Sequence, residues 1–218
     1  SQYKVNKIML VNKDDINFFK KNKIINDLNK IVLLRAPGLD VNHYKFKKRV
    51  ISKNKKLVFS FISRVIIEKG IVYFLKSAEQ IKKKYHANFI VMGKIEKKEI
   101  KNMISKFSKK KIIKYYKNQN NIKQKLLASD CIVLPSYYRE GLPRILQEAN
   151  YMGRICVTTN NVGCKDIIIN GFNGFLCKKK SVKDLSRNII KVIKINKNKL
   201  SNMEKNAHYY IKRNFNKN

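Results

Sequence analysis

Acidic residues are scarce in this chain: 14 Asp and Glu stand against 50 Lys and Arg in 218 residues, a net charge of +36. Tryptophan is absent, proline occurs three times and glycine eight times. So little glycine and proline excludes a fibrous or linker-like chain, and 44 % apolar residues exclude a disordered one. No apolar run approaches the roughly 18–20 residues of a membrane span. The opening Ser1-Gln-Tyr-Lys-Val has no hydrophobic signal core, so nothing there argues for secretion. The four cysteines, Cys131, Cys156, Cys164 and Cys177, form no C-x-x-C pair and have no histidine at ligand spacing. That pattern argues against a metal site or disulfides and for a reduced, cytosolic setting.

What is present in excess is lysine, with asparagine, isoleucine, tyrosine and phenylalanine. An A+T-rich coding sequence skews any protein this way. A polyanion partner, either nucleic acid or an anionic membrane surface, is the competing reading of +36. Lysine runs through every segment instead of gathering on one stripe, and arginine is sparse, which argues against nucleic acid. A peripheral attraction to an anionic membrane stays compatible with the charge.

The hydrophobic pattern predicts strands at 7–12 and 31–35 with a short helix from Asp14 to Lys21 between them. This β-α-β piece is too small to bury its own faces, and reads as the end of an incomplete domain. Residues 41–56, rich in Lys, Asn and Ser, read as a connector. From Leu57 strands and helices alternate. Strands are expected at 57–62, 88–92, 111–116, 131–135 and 155–159, and helices at 68–84, 96–108, 121–128, 143–152, 182–195 and 199–213. Alternation of this kind gives an α/β fold with a doubly wound parallel sheet.

Ligands of such a sheet bind outside the carboxyl ends of its strands. Ser63-Arg64, Gly93, Tyr115-Tyr116, Ser136 to Gly141 and Thr158 to Lys165 follow successive strands. Glu140 falls on a loop just before a helix that opens at Pro143, and Glu148 falls inside that helix. A helix N-terminus attracts phosphate, and Arg64 and Lys69 flank the crevice where they could grip a diphosphate. On spacing alone, the bland alternatives stand beside this. Arg64 and Lys69 are equally two surface cations among 50, and Glu140 and Glu148 a loop acid and a helix-surface acid.

Ser63-Arg64-Val-Ile-Ile-Glu-Lys69-Gly70 resembles the S-R-L-x-x-E-K-G segment of retaining glycosyltransferases of the GT-B fold, family 4 (group 1). Pro135-Ser-Tyr-Tyr-Arg-Glu140-Gly-Leu-Pro-Arg-Ile-Leu-Gln-Glu148-Ala resembles the same family, with Glu140 and Glu148 on its E-x7-E motif. Gly153-Arg, Thr158-Thr, Gly163-Cys-Lys-Asp166 and Asn170-Gly-Phe-Asn-Gly-Phe-Leu176 continue the likeness in order. The subgroup most similar builds bacterial lipid-linked oligosaccharides, O-antigen or capsule. Asn150-Tyr151, Ile155 and Lys94-Ile95 depart from the family pattern but leave the four charged positions intact.

The resemblance implies two Rossmann-like domains with the active site between them. It assigns 1–45 to the end of the acceptor domain, 46–56 to the connector, 57–198 to the nucleotide-sugar domain, and 199–218 to a helix returning toward the acceptor domain. It further implies that Arg64 and Lys69 bind the donor diphosphate and stabilise the departing nucleoside diphosphate, and that Glu148 takes the ribose hydroxyls. Glu140 would contact the donor sugar, the N–H groups of Gly141, Leu142 and Arg144 would cradle oxygens, and Gly93 and Tyr116 would complete the donor site. The expected donor is a UDP-sugar, and the expected acceptor a lipid-linked or other glycan. The acceptor domain would be supplied in cis or in trans, at the inner face of the membrane. No D-x-D triplet occurs, so neither cofactor nor metal is expected. A split or non-catalytic nucleotide-sugar-binding unit is the alternative, and a polyanion-binding protein a remote one.

Overall fold

The computed structural model describes residues 6–34, 39, 43–49, 56–117 and 121–215. Gly38, Asp40 and the stretch 50–55 of the expected connector lie outside the described residues. Two sheets form. The first pairs strand β1 (Ile8–Leu10) in parallel with β2 (Ile31–Leu33), and helix α1 (Lys13–Lys21) joins them. The helix starts where Asn12, in extended backbone, accepts the N–H of Asp15 at 2.7 Å. Asp14 and Asp15 in its first turn and Lys20 and Lys21 in its last suit the helix dipole. No residue of α1 is fully buried, and Met9 is 65 % exposed, so this unit leaves its faces open.

The second sheet holds β3 (Leu57–Ile62), β4 (Ala87–Met92), β5 (Lys114–Tyr116), β6 (Cys131–Leu134), β7 (Ile155–Thr159) and β8 (Gly174–Cys177). All pairings are parallel, in the order β5-β4-β3-β6-β7-β8. The chain therefore fills the sheet outward from β3 to one edge, returns, and fills it from β6 to the other. Right-handed crossovers then put helices α2 (Ile71–Lys82) and α3 (Lys98–Lys109) on one face. The same rule puts α5 (Arg144–Tyr151) and the single turn α6 (Cys164–Ile167) on the opposite face. The short helix α4 (Ile122–Ala128) lies on the return path. Helix α7 (Val182–Lys194) packs on α2, and α8 (Lys197–Asn214) on α5. This is the expected doubly wound Rossmann-like sheet, whose switch point lies between β3 and β6.

Central strands covered on both faces are largely apolar, as β6 (Cys-Ile-Val-Leu) and β7 (Ile-Cys-Val-Thr-Thr) show, every residue buried. On the α2 face Phe59 stacks on Phe89 at 5.4 Å between ring centroids, and Phe74 meets Phe61 and Phe89 at 5.7 and 5.8 Å. Arg49, in the irregular stretch 43–49, is buried between Asp130 at 3.5 Å and Glu204 of α8 at 3.8 Å. The far end of α8 meets the first unit: Tyr210, Asn214 and Phe215 share a cavity wall with Val11, Asn12 and Leu33. No described helix is long and apolar enough to cross a membrane.

Several boundaries differ from the sequence pattern, three of them for a visible reason. The expected helix at 68–84 is a 3-10 turn, Ile67–Lys69, followed by α2 from Ile71. Gly70 separates them in the left-handed region at φ 84°, where the Pro135 carbonyl would lie 2.1 Å from any Cβ. The strand expected at 111–116 begins only at Lys114, because Lys111 turns left-handed and the Ile112 N–H closes back on Phe107. Pro143 caps α5 rather than opening it, with ψ 108° outside the helical range.

All four cysteines are buried, which pushes the Cys164 thiol up to about 11 and the Cys177 thiol to about 12. At pH 8 a thiol-specific disulfide reagent should leave the native protein unmodified. The same reagent should titrate all four thiols once denaturant is added.

Candidate active site

At the switch point the carboxyl ends of β3 and β6 part, and a cavity of about 390 Å³ opens. Its wall is formed by Ile62 and Ser63 after β3, Lys69, Leu134, Ile122, and Pro143 to Ile145 with Glu148 on α5. The cavity therefore faces the N-terminus of α5, where free N–H groups and the helix dipole favour an anion. Lys69 reaches the wall because the left-handed turn at Gly70 stops α2 from starting earlier.

Behind Lys69 stands Glu140. The ammonium lies 2.5 and 2.6 Å from the two carboxylate oxygens, and the Ser136 hydroxyl donates to Oε1 at 2.7 Å. Glu140 is buried, and its loop is fixed to its own domain by main-chain bonds. The N–H groups of Tyr137 and Tyr138 donate to the Glu68 carbonyl at 3.0 and 3.2 Å, and Asn161 donates to the Tyr138 carbonyl at 2.5 Å. Thr159 donates to the Ser136 carbonyl. An ammonium has three protons. With Glu140 held on one side, Lys69 still turns toward the cavity.

Glu148 lies one turn into α5 and is buried, 3.6 Å from the exposed guanidinium of Arg144. Burial holds its carboxyl above the ordinary carboxylate range, against a hydrogen bond from Tyr44 and the charges of Arg144 and His43. Tyr44 and His43 belong to the irregular stretch before β3, and nothing in its Lys-rich sequence marks them as site residues. Ser136 was in the expected crevice loop, but its bond to Glu140 has no sequence signature.

The structure brings Lys69, Arg144, Glu148 and, behind them, Glu140 to one place. Gly141 and Leu142 connect Glu140 to the helix start. Arg64 is exposed and does not line the cavity. Gly93 follows β4, its N–H donating to the Tyr116 carbonyl at 3.1 Å and its carbonyl accepting from the Tyr115 hydroxyl at 2.9 Å. Tyr116 itself is directed elsewhere: its ring lies under Lys125 and lines a separate cavity with Ile90 and Lys114. The pleat decides this, since a residue and its second neighbour share a face of the sheet.

Among the described residues, ten acids bond a cation or a backbone N–H: Asp14, Asp15, Asp27, Glu79, Asp130, Glu140, Glu148, Asp166, Asp184 and Glu204. In a chain so rich in lysine, each such acid is committed.

The helix start, the lysine and the buried Glu148 thus surround a cavity at the switch point, where doubly wound α/β sheets bind their ligands. The family described as glycosyl transferases group 1 matches residues 43–209, and the chain belongs to that family. Over 189 residues it is 31 % identical to the N,N'-diacetylbacillosaminyl-diphospho-undecaprenol alpha-1,3-N-acetylgalactosaminyltransferase of Campylobacter jejuni, covering 82 % of this chain and 49 % of that protein. Among solved structures a glycosyltransferase from Rickettsia africae superposes with a TM-score of 0.86 at 19 % identity, over 98 % of this chain and 60 % of that one. Anabaena HepE, solved with UDP and glucose, gives 0.82 at 19 % identity, over 97 % and 59 %. The chain thus spans about half the length of the Campylobacter relative.

Proposed function

We propose that this chain supplies the donor-binding half of a retaining glycosyltransferase that moves a sugar from a UDP-sugar to a lipid-linked saccharide. The observation that carries the reading is the cavity at the switch point, walled by Lys69, Arg144 and Glu148 around the start of α5. A diphosphate there meets Lys69 and the helix N-terminus, with Arg64 closing from the mouth. These fixed cations take the charge that builds on the departing UDP, the role a metal ion fills in other nucleotide-sugar enzymes. The Glu148 carboxylate accepts both ribose hydroxyls, and Glu140, tethered to Lys69, faces the sugar.

Residues 57–198 act as the nucleotide-sugar domain, and the β1-α1-β2 unit as the end of the acceptor domain. The rest of that domain, in cis or in trans, holds the acceptor in line with the donor, so the chain alone binds donor without turning it over. The Campylobacter relative acts on an undecaprenol-linked saccharide, which supports a lipid-linked acceptor at the inner membrane face. The net charge of +36 supports a peripheral contact with anionic lipid there.

Calorimetry with UDP and a panel of UDP-sugars tests the reading. Wild type should bind UDP. Glu148→Gln should weaken binding about tenfold, the worth of charge-assisted hydrogen bonds to the ribose. Affinity should also fall as pH drops through the raised pKa of Glu148, since protonation removes an acceptor. Stability should move the other way. A carboxyl whose pKa is raised by folding stabilises the native state below the ordinary carboxylate range, and that contribution is lost as pH rises through the raised value. Above the raised value Glu148 is ionised at a cost, and there Glu148→Gln should melt slightly higher than wild type. UDP binding that survives in both Glu148→Ala and Arg64→Ala would sink the proposed site.

A further inference from the structure

The loop carrying Glu140 is gripped a second time, from outside the six-stranded domain. Arg139 donates through Nε to Asp15 Oδ1 at 2.7 Å, and its terminal nitrogen lies 2.6 Å from the same oxygen and 3.2 Å from the Asp14 carbonyl. The guanidinium also covers the Phe18 ring at 4.8 Å. On the other side of Glu140, the Gly141 carbonyl accepts from Asn12 at 3.5 Å. Asn12 is 2 % exposed and donates to Asp15 Oδ2 at 2.7 Å while accepting its N–H, so the two side chains are locked together. Asp14 takes Lys165, next to the Gly163 turn that underlies the loop, at 2.9 Å. The first turn of α1 thus bonds residues 139, 141 and 165.

A lone exposed ion pair contributes little. This contact is a network: a forked guanidinium on a carboxylate and an aromatic face, a second ion pair beside it, and a buried asparagine fixing the carboxylate. Its partners are two adjacent acids in a chain that has only 14, Asp15 bonded to Arg139 of the donor loop and Asp14 to Lys165 beside it. We propose that Asp15 and Asn12 are positioning residues for the donor sugar. By holding Arg139 and the Gly141 carbonyl they set the backbone on both sides of Glu140, and so its orientation toward the sugar. Lys69 and Glu148 are built on other elements, so the grip bears on the nucleotide only through the Lys69–Glu140 pair. This inference rests on the donor reading of the cavity given above.

The experiment is calorimetry of UDP, UDP-glucose and UDP-N-acetylgalactosamine on the whole chain, with hydrogen exchange read at 136–142. In Asp15→Asn the affinity for UDP should stay within about twofold of wild type. The ratio of UDP-sugar to UDP affinity should fall about fivefold, and exchange should speed up in the loop while α5 and β6 keep their protection. Asp15→Glu should restore both, as should the swap Asp15→Arg with Arg139→Asp. An unchanged ratio with unchanged loop protection overturns the proposal, and so does a parallel loss of UDP and UDP-sugar binding, which marks a general structural role. If wild type binds a UDP-sugar no better than UDP, loop exchange decides: unchanged protection in Asp15→Asn overturns the grip. If wild type binds no nucleotide, the donor reading itself has failed, which is a different result from either.

Discussion

Lys69→Ala should abolish measurable UDP binding and lower the melting temperature by roughly 5–10 °C. Removing one partner of a buried ion pair strands the other charge, at about 3–5 kcal/mol for a fully buried site. Side-chain exposures of 14 % for Lys69 and 9 % for Glu140 reduce this to about 2–3 kcal/mol. The stranded Glu140 would keep only the Ser136 hydroxyl. Pairing Lys69→Met with Glu140→Gln removes both charges and should recover most of the lost stability, while UDP binding stays absent. Thermal melts and calorimetry on the three proteins separate the two roles. If Lys69→Ala melts like wild type, the pair carries no stability; if it binds UDP like wild type, Lys69 is not a phosphate ligand.

The second large effect is expected at Gly163. A Cβ there would lie 2.0 Å from the Gly141 carbonyl oxygen and 2.7 Å from that of Glu140, at φ +77°. Gly163→Ala must therefore push the donor loop away or break the turn. We expect a loss of about 3 kcal/mol or more, with UDP-sugar binding lost as well. Gly171→Ala is the control. It has a similar positive φ, +80°, but nothing within 4 Å, and should cost only about 1–2 kcal/mol for the conformation. Similar urea midpoints for the two variants would show that the close approach of residues 140–141 does not matter.

Much of the sheet was legible because its strands are short apolar runs between turn residues. The bounds of β3 and β7 match the pattern at both ends. β5 was shortened by a left-handed lysine, and α2 delayed by a close backbone approach between Gly70 and Pro135, 65 positions apart in the chain. Neither has a local signal. The site divided the same way. Glu140 and Glu148 stood out because a carboxylate is rare in this chain and the two flank a helix start, whereas Lys69, one cation among 50, stood out only through the family resemblance of its segment. Tyr44 on Glu148, Ser136 on Glu140 and Asp15 on Arg139 depend on tertiary contacts that no window of sequence contains. Tyr116 shows the converse. Its position at a strand end suggested the site, but its ring lines a separate cavity.

The bonding of ten acids among the described residues also says which substitutions this protein can absorb. A further lysine on the exposed surface meets water and changes little. The loss of one of these carboxylates undoes an ion pair, a helix start or a grip on the donor loop. The asymmetry is greatest at buried pairs such as Lys69–Glu140 and least at exposed ones such as Lys110–Glu79.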